Sequence, residues 1–260
     1  MEGFLKIRIF KSALLILFFL FTQQLSAAVS RNDVKLQEAS EDIKFISQQI
    51  VKDYFYLSFN TQKKEIKKSL NEELLLLDSK LRLIAASTTN KSTKKLLTFL
   101  AYSRDQITEA VSLPYSVENS AVILDYSEIL LEGAEKIAKK HSYTFSKEEQ
   151  MLINVKNMAY LLERMSKYYM VFQAGFKDHN NIKQLKNAVT DFDMLLEKIN
   201  GYHYDSDISK DLSAISNYWK VARSYYLSLE KSNIPNILYI SVEYLENNIL
   251  KLELYHSKNL

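Results

Sequence analysis

The sequence contains no cysteine, and this absence removes several kinds of chemistry at once. Without cysteine the chain cannot form disulfides, use a thiol nucleophile, bind metal through thiolates or attach a c-type haem. Glycine and proline are also scarce, with four and two residues in a chain of 260. Sheet-rich folds need many turns, and these two residues supply them, so their scarcity favours a few long helices.

A strong excess of one charge is missing as well. The formal net charge is +3, and residues 1–28 contribute +2 of it through Lys6, Arg8 and Lys11 against Glu2. Residues 29–260 therefore carry about +1, which gives no electrostatic footprint for nucleic acid. We expect no nucleic-acid partner.

Catalytic motifs are missing too. The sequence has no G-x-S-x-G, no H-E-x-x-H and no glycine-rich phosphate loop, and it does not contain the two Glu-x-x-His motifs that di-iron bundles use. The four histidines fall at predicted helix ends and loops. We therefore predict a non-enzymatic protein with no catalytic residues, no cofactor and no metal.

The N-terminus has the pattern of a secretory signal peptide. A basic segment precedes the nine-residue apolar run Ala13–Phe21, and Ser26 and Ala28 occupy the small-residue positions of a cleavage site. The apolar run is shorter than the ~20 residues that a membrane span needs. We predict that residues 1–28 are removed on export, which in a diderm bacterium places the protein in the periplasm; the alternative is an uncleaved N-terminal anchor in the inner membrane.

From Asn32 onward, apolar residues recur every three or four positions, the spacing of an amphipathic helix. Capping signals divide this pattern into eight helices. We place four of them at about 32–59, 63–86, 91–112 and 117–141, with Thr61, Asn90 and Ser116 available as caps. Four more follow the Ser146–Glu149 capping box. The first of these ends at Gly175, the second runs from about 178–180 to Gly201, the third from 205–206 to about Glu230, and the fourth from Pro235 to about His256. Their short connections force neighbours to run antiparallel. The predicted fold is all-α, with two tandem up-down-up-down four-helix bundles at 29–143 and 144–260.

The two halves also resemble each other in sequence. At an offset of 115 positions, Lys52 coincides with Lys167, Tyr54 with Tyr169 and His141 with His256. Apolar matches lie between these identities, which indicates an internal duplication.

The repeated helix resembles a known motif. Lys44–Gln49 followed by Lys52, and Ala159–Lys167 in the second half, are similar to the consensus R-M-L-S-Q-R-x-x-K. That consensus is typical of PilJ- and NarX-type sensor input domains, found in type IV pilus methyl-accepting chemotaxis transducers and in nitrate/nitrite sensors. The resemblance implies an exported four-helix sensory module, often in tandem. The first arginine of the family motif, associated with anion binding in the nitrate sensors, is Lys44 in one copy and Ala159 in the other.

The motif supplies the candidate ligand-binding residues Arg164, Lys167, Lys52, Ser47 and Gln48. Arg164 and Lys167 lie three positions apart and would project from one side of the helix, so an anion is expected in the second half. The alternatives are structural. The lysines would then snorkel at the edge of an apolar stripe, Arg164 would pair with an acid three or four positions away, and Ser47 and Gln48 would lie on an exposed surface.

Two functional hypotheses follow. In the first, an exported sensory protein binds a small anionic ligand between helices and reports to a separate membrane-bound receptor or kinase. In the second, the helices form a structural scaffold without a ligand, and a homodimer is a further hypothesis. A polar, desolvated pocket beside Arg164 or Lys52 would favour the first, and a broad exposed aromatic patch would favour the second.

Overall fold

The computed structural model describes residues 31–60, 63–231 and 233–260. Within these residues the secondary structure consists of eight helices and contains no strand, which confirms the all-α prediction. The predicted signal peptide and the predicted cap Thr61 lie outside the described residues. The helices are α1 Arg31–Phe59, α2 Lys64–Ser87, α3 Lys91–Ser112, α4 Val117–Lys140, α5 Lys147–Gln173, α6 His179–Asn200, α7 Ser206–Leu227 and α8 Pro235–Lys258.

Polar side chains start most of these helices, because the first backbone N–H groups of a helix have no partner within it. Ser146 accepts from the Glu149 backbone N–H while the Glu149 carboxylate accepts from the Ser146 N–H, so the predicted capping box is confirmed. Pro235 occupies the first turn of α8, as predicted. The other side-chain caps are Asn90, Ser116, Asp178 and Asp205.

Gly175 ends α5 in the way the sequence indicates. Its φ of 103° is left-handed, a conformation that a Cβ atom disfavours. The Phe176 N–H donates to the Val171 carbonyl and the Gly175 N–H to the Phe172 carbonyl, which together form a Schellman motif. One predicted end differs: α7 stops at Leu227 rather than near Glu230, because the next residues form a turn in which the Lys231 N–H donates to the Ser228 carbonyl.

Helix contacts follow the same order in each half of the chain. In the first half α1 contacts α2 and α4, and α3 contacts both of these. In the second half α5 contacts α6 and α8, and α7 contacts both of these. The main contact between the halves joins α1 to α5.

The two central helices run parallel to each other. Lys156 donates to Asp42 at 2.9 Å, and Lys52 donates to Glu163 at 2.6 Å, so residue numbers rise together along both helices. Neighbours on several sides leave α5 buried around its whole circumference, and every residue from Tyr160 to Phe172 is buried. Polar side chains on such a helix must find partners inside the protein.

Each half carries the same contact at equivalent positions. His141 Nδ1 lies 2.9 Å from the Asp33 carboxylate, and His256 Nδ1 lies 3.0 Å from the Glu148 carboxylate. Both pairs are 108 positions apart, and both members of one pair are 115 positions from their counterparts in the other. This recurrence agrees with the repeat found in the sequence. In the described part of the chain, no helix combines the length and the apolarity that crossing a membrane requires.

Candidate functional site

All five candidate residues lie on the two central helices, α1 and α5, and all five are buried. Lys167 is 0% exposed, Lys52 2% and Arg164 7%, and Ser47 and Gln48 are inaccessible. The alternative readings of snorkelling lysines and of surface-exposed Ser47 and Gln48 are therefore wrong. Both interpretations are wrong for the same reason. An apolar stripe identifies only the most apolar face of a helix, whereas α1 and α5 are covered on their other faces too.

Arg164 is bound on both of its terminal nitrogens. Nη1 donates to Gln48 at 3.1 Å and to Glu128 Oε1 at 3.0 Å, and Nη2 donates to Glu128 Oε2 and to Gln184 at 3.0 Å each. Its carboxylate partner belongs to α4, 36 positions away, and the alternative of a pair within α5 is wrong. The two bonds to Glu128 are the bidentate geometry that makes arginine–carboxylate pairs strong.

Lys167 reaches the same carboxylate from the same side of α5, as its spacing from Arg164 predicts. Its Nζ donates to Glu128 Oε1 and, at 2.9 Å, to the Ser127 hydroxyl. The Tyr168 ring lies beside both cations, 5.1 Å from the Arg164 guanidinium carbon and 4.9 Å from the Lys167 nitrogen. We call Arg164, Lys167, Glu128, Gln48, Gln184 and Ser127 the arginine cluster.

Electrostatics in the arginine cluster depend on two opposing effects. Burial raises the pKa of Glu128, but the charges of Lys167 and Arg164 outweigh it and lower the value to about 2. Burial also lowers the pKa of Lys167 to about 8, although Glu128 opposes the change. The Glu128 carboxylate thus occupies the place that an external anion would take between the two cations. A ligand anion at Arg164 would have to displace it, and the anion prediction stays a prediction.

A second cluster surrounds Lys52. Its Nζ donates to Glu163 Oε1 at 2.6 Å, lies 3.6 Å from Asp53 Oδ1 and sits 4.9 Å from the centre of the Tyr239 ring. The Tyr239 hydroxyl donates to Asp53 at 2.9 Å. We call Lys52, Asp53, Glu73, Glu163, Glu246 and Tyr239 the lysine cluster; it contains one cation and four carboxyl groups.

The surplus carboxyl groups are arranged in pairs. Glu163 Oε2 and Glu246 Oε1 are both buried without a hydrogen-bond donor among the described residues, and the two side chains are hydrogen-bond neighbours. Two carboxyl oxygens can form such a contact only when one of them carries a proton. Burial, and then the charge of Glu246, hold the pKa of Glu163 well above its usual range against the opposing charge of Lys52, and we infer that Glu163 carries that proton. Burial and the charge of Asp53 raise the pKa of Glu73 in the same way.

An open cleft of about 400 Å³ lies beside the lysine cluster, between α1, α2, α5 and α8. Asp42 in its wall accepts from Lys80 at 2.6 Å and from Lys156 at 2.9 Å, and Lys156 also pairs with Glu253 at 3.0 Å. Glu246 belongs both to the cleft wall and to the lysine cluster. The apolar part of the wall consists of Phe45, Ile46, Leu76, Ala159, Ile249 and Leu250.

The sequence indicated the α1 and α5 cations but not the acids that surround them. Glu128, Glu73 and Glu246 come from three other helices, so no spacing within α1 or α5 could identify them. The repeat did contain a signal for Glu163. This residue lies 115 positions after the candidate residue Gln48, and therefore at the equivalent position of the second half.

No group of three or more His, Cys, Asp or Glu side chains in the described ranges has an arrangement suited to a metal ion. The sequence Glu253-Leu-Tyr-His256 illustrates why: Glu253 pairs with Lys156, while His256 lies between Glu148 and Tyr204. No family model, no curated protein and no solved structure matches the chain.

Proposed function

We propose that this protein is a non-enzymatic sensory protein of the periplasm that binds a small molecule in the cleft between two tandem four-helix bundles. The bundles comprise residues 29–143 and 144–260, and a membrane-bound receptor or kinase receives the signal. The order of helix contacts supports the division into bundles, as does the recurrence of the histidine–carboxylate contact. The proposal includes a relationship to PilJ/NarX-type input domains, whose motif positions fall on α1 and α5.

The observation that carries the proposal is the buried polar contact between the two central helices. Replacing a buried ion pair by well-packed apolar residues is often neutral or stabilising, so buried pairs are weak evidence for stability. Two such clusters join the halves of this protein. We infer that they permit more than one packing of α1 against α5, since a sensor needs two states that differ by only a few kcal/mol.

The cleft is connected to this contact through three side chains. Glu246 stands in the cleft wall on α8 and is the hydrogen-bond neighbour of Glu163 on α5. Glu163 in turn accepts from Lys52 on α1. A ligand that changes the charge around Glu246 therefore acts directly on the bond between the central helices.

A thermal-shift screen tests the proposed function. The purified protein is heated with small anions, amines and neutral metabolites, because a ligand that binds only the folded state raises the melting temperature. We expect at least one class to raise it in proportion to the logarithm of concentration. A complete absence of shifts across the panel would refute ligand sensing and favour the scaffold.

Export is tested separately by mass spectrometry of a periplasmic extract. We expect the mature protein to start at Val29, because Ala28 ends the predicted cleavage site. Recovery of an intact N-terminus in the membrane fraction would support the anchor instead.

A scaffold function remains the second candidate because of one exposed surface. Five large apolar side chains share the outer face of the α7–α8 pair, where Tyr218 and Tyr244 contact each other: Val221, Tyr225, Ile237, Ile240 and Tyr244. Ile237 and Ile240 are 57% and 61% exposed. Light scattering would decide whether this face joins two copies. A dimer that Ile240→Glu converts to monomers would support the scaffold reading, and a monomer at all concentrations would count against a homodimer.

A further inference from the structure

The charges of the cleft wall cancel one another except at one residue. Asp42 and Glu253 are matched by Lys80 and Lys156, which contact them at 2.6–3.0 Å. Glu41 is matched by Lys44, outside the wall, at 2.8 Å. Glu246 differs from these acids, because it has no cation within 4.0 Å among the residues that the structure describes.

The environment of Glu246 calls for a positive charge. Its Oε1 is buried without a donor from the described residues other than the proton it shares with Glu163. A carboxylate in a partly desolvated wall costs free energy unless it is paired. Lys80 and Lys156 are already held by Asp42 and Glu253. Lys52 also interacts with the charge of Glu246, but its ammonium group is bonded to Glu163.

We propose that the cleft binds a small organic cation, whose ammonium group pairs with the Glu246 carboxylate and whose apolar body packs against the aliphatic and aromatic wall. This assignment rests on the proposed sensory function and adds the chemical class of the ligand. The volume of about 400 Å³ accommodates a body of several carbon atoms. The apolar surface is supplied by residues of all four helices, including Phe45, Leu76, Ala159 and Ile249.

An anion does not fit this wall. It would approach the unmatched Glu246 carboxylate, and it would have to break the contacts of Lys80 and Lys156 with Asp42 to gain a cation. A neutral ligand would cover Glu246 and leave it without a partner, which costs the desolvation of the carboxylate. Charge complementarity therefore selects a cation.

Binding of a cation should release the shared proton. Burial and the charge of Glu246 raise the pKa of Glu163, and a cation at Glu246 opposes the second of these effects. The proton therefore leaves Glu163 for solvent, and Glu163 becomes a carboxylate bonded to Lys52. The other titratable groups around this pair are Asp53 on α1, Glu73 on α2, Tyr226 on α7 and Tyr239 on α8. The Glu163 carboxylate on α5 thereby carries a full negative charge in its bond to Lys52 on α1. This change links ligand binding to the contact between the two central helices.

Three probes with one apolar body test the assignment by calorimetry on the purified protein: n-hexylammonium, n-hexanol and n-hexanoate. We expect hexylammonium to bind at least tenfold more tightly than the other two. Shortening it to n-butylammonium should weaken binding by about fourfold for each methylene removed. Tighter binding of hexanoate, or equal binding of all three, would overturn the cation assignment.

Substitutions locate the site. Glu246→Gln removes the charge from the cleft wall and should weaken hexylammonium binding at least tenfold. Glu243→Gln, on the exposed side of the same helix, is the matched control and should leave binding unchanged. Equal losses in both variants would indicate a general electrostatic effect and overturn the site, and circular dichroism of both variants verifies that they fold.

The proton release is measured in buffers of different ionisation enthalpy. In the wild-type protein, the apparent binding enthalpy should change with the ionisation enthalpy of the buffer. In Glu163→Gln it should stay constant, because glutamine keeps a donor toward Glu246 but has no proton to lose. An enthalpy independent of buffer in the wild type would refute the coupling. Failure of hexylammonium while another class binds in the screen refutes this assignment alone; failure of every class refutes the sensory function.

Discussion

The protonation state of Glu163 can be tested by one conservative substitution. Glutamine at this position keeps an oxygen that accepts from Lys52 and places an N–H donor where the shared proton faces Glu246. Glu163→Gln is therefore a permanent copy of the protonated residue. Glu128→Gln makes the same chemical change in the arginine cluster, where the carboxylate is ionised, and serves as the matched comparison.

The two substitutions should differ in their effect on the free energy of unfolding at pH 7. If Glu163 is protonated, no charge is lost and the change should stay below ~1 kcal/mol. Glu128 has its pKa lowered from 4.5 to about 2, which corresponds to ~3 kcal/mol of interaction. Its side chain is 34% exposed, and solvent screening reduces the expected loss for Glu128→Gln to about 2 kcal/mol.

Urea unfolding followed by far-UV circular dichroism measures both values, with midpoints compared at equal slope. A loss of ~3–5 kcal/mol in Glu163→Gln would refute the reasoning, because that is the cost of leaving a buried cation without its partner. It would mean that Glu163 is a carboxylate ion-paired with Lys52, and that the contact with Glu246 is arranged differently.

Three further predictions concern other positions. The native pKa of Lys167 is about 8, below its unfolded value of 10.5. Between these pH values the unfolded state binds more protons, so the free energy of unfolding should rise with pH by up to ~3 kcal/mol. Urea titrations at pH 8 and 10.5 should show this rise in the wild type and not in Lys167→Met. Arg164→Ala removes the donor of buried Gln48 and of half-buried Glu128 and Gln184, and it should lower the free energy of unfolding by ~3–5 kcal/mol. Gln49→Ala on the facing helix should change it by under ~1 kcal/mol in the same assay, and equal effects would contradict the contacts described. Gly133→Ala places a methyl group against the Leu100 side chain between α4 and α3 and should lower the free energy of unfolding by ~1–3 kcal/mol. An unchanged melting temperature would show that the two helices can move apart freely.

The sequence predicted the elements of this fold because the signals that define them are local. Helix starts at Asn90, Ser116 and Ser146 depend on bonds that span two or three residues, and the end of α5 depends on the backbone freedom of Gly175. These interactions exist whatever the rest of the chain does. The predicted C-terminal end of α7 was the least accurate, because the helix continues into turns and no capping residue marks its end.

The candidate cations were also found from sequence, through the repeated motif, but their surroundings were not. An apolar stripe of period 3.6 shows that a helix packs on one side, and it gives no information about what covers the other sides. Only the tertiary structure places Glu128 against Arg164 and Lys167 and brings Glu246 against Glu163, across 36 and 83 positions of the chain. Such pairings depend on how whole helices pack, because burial decides whether a lysine is solvated or must bind a carboxylate.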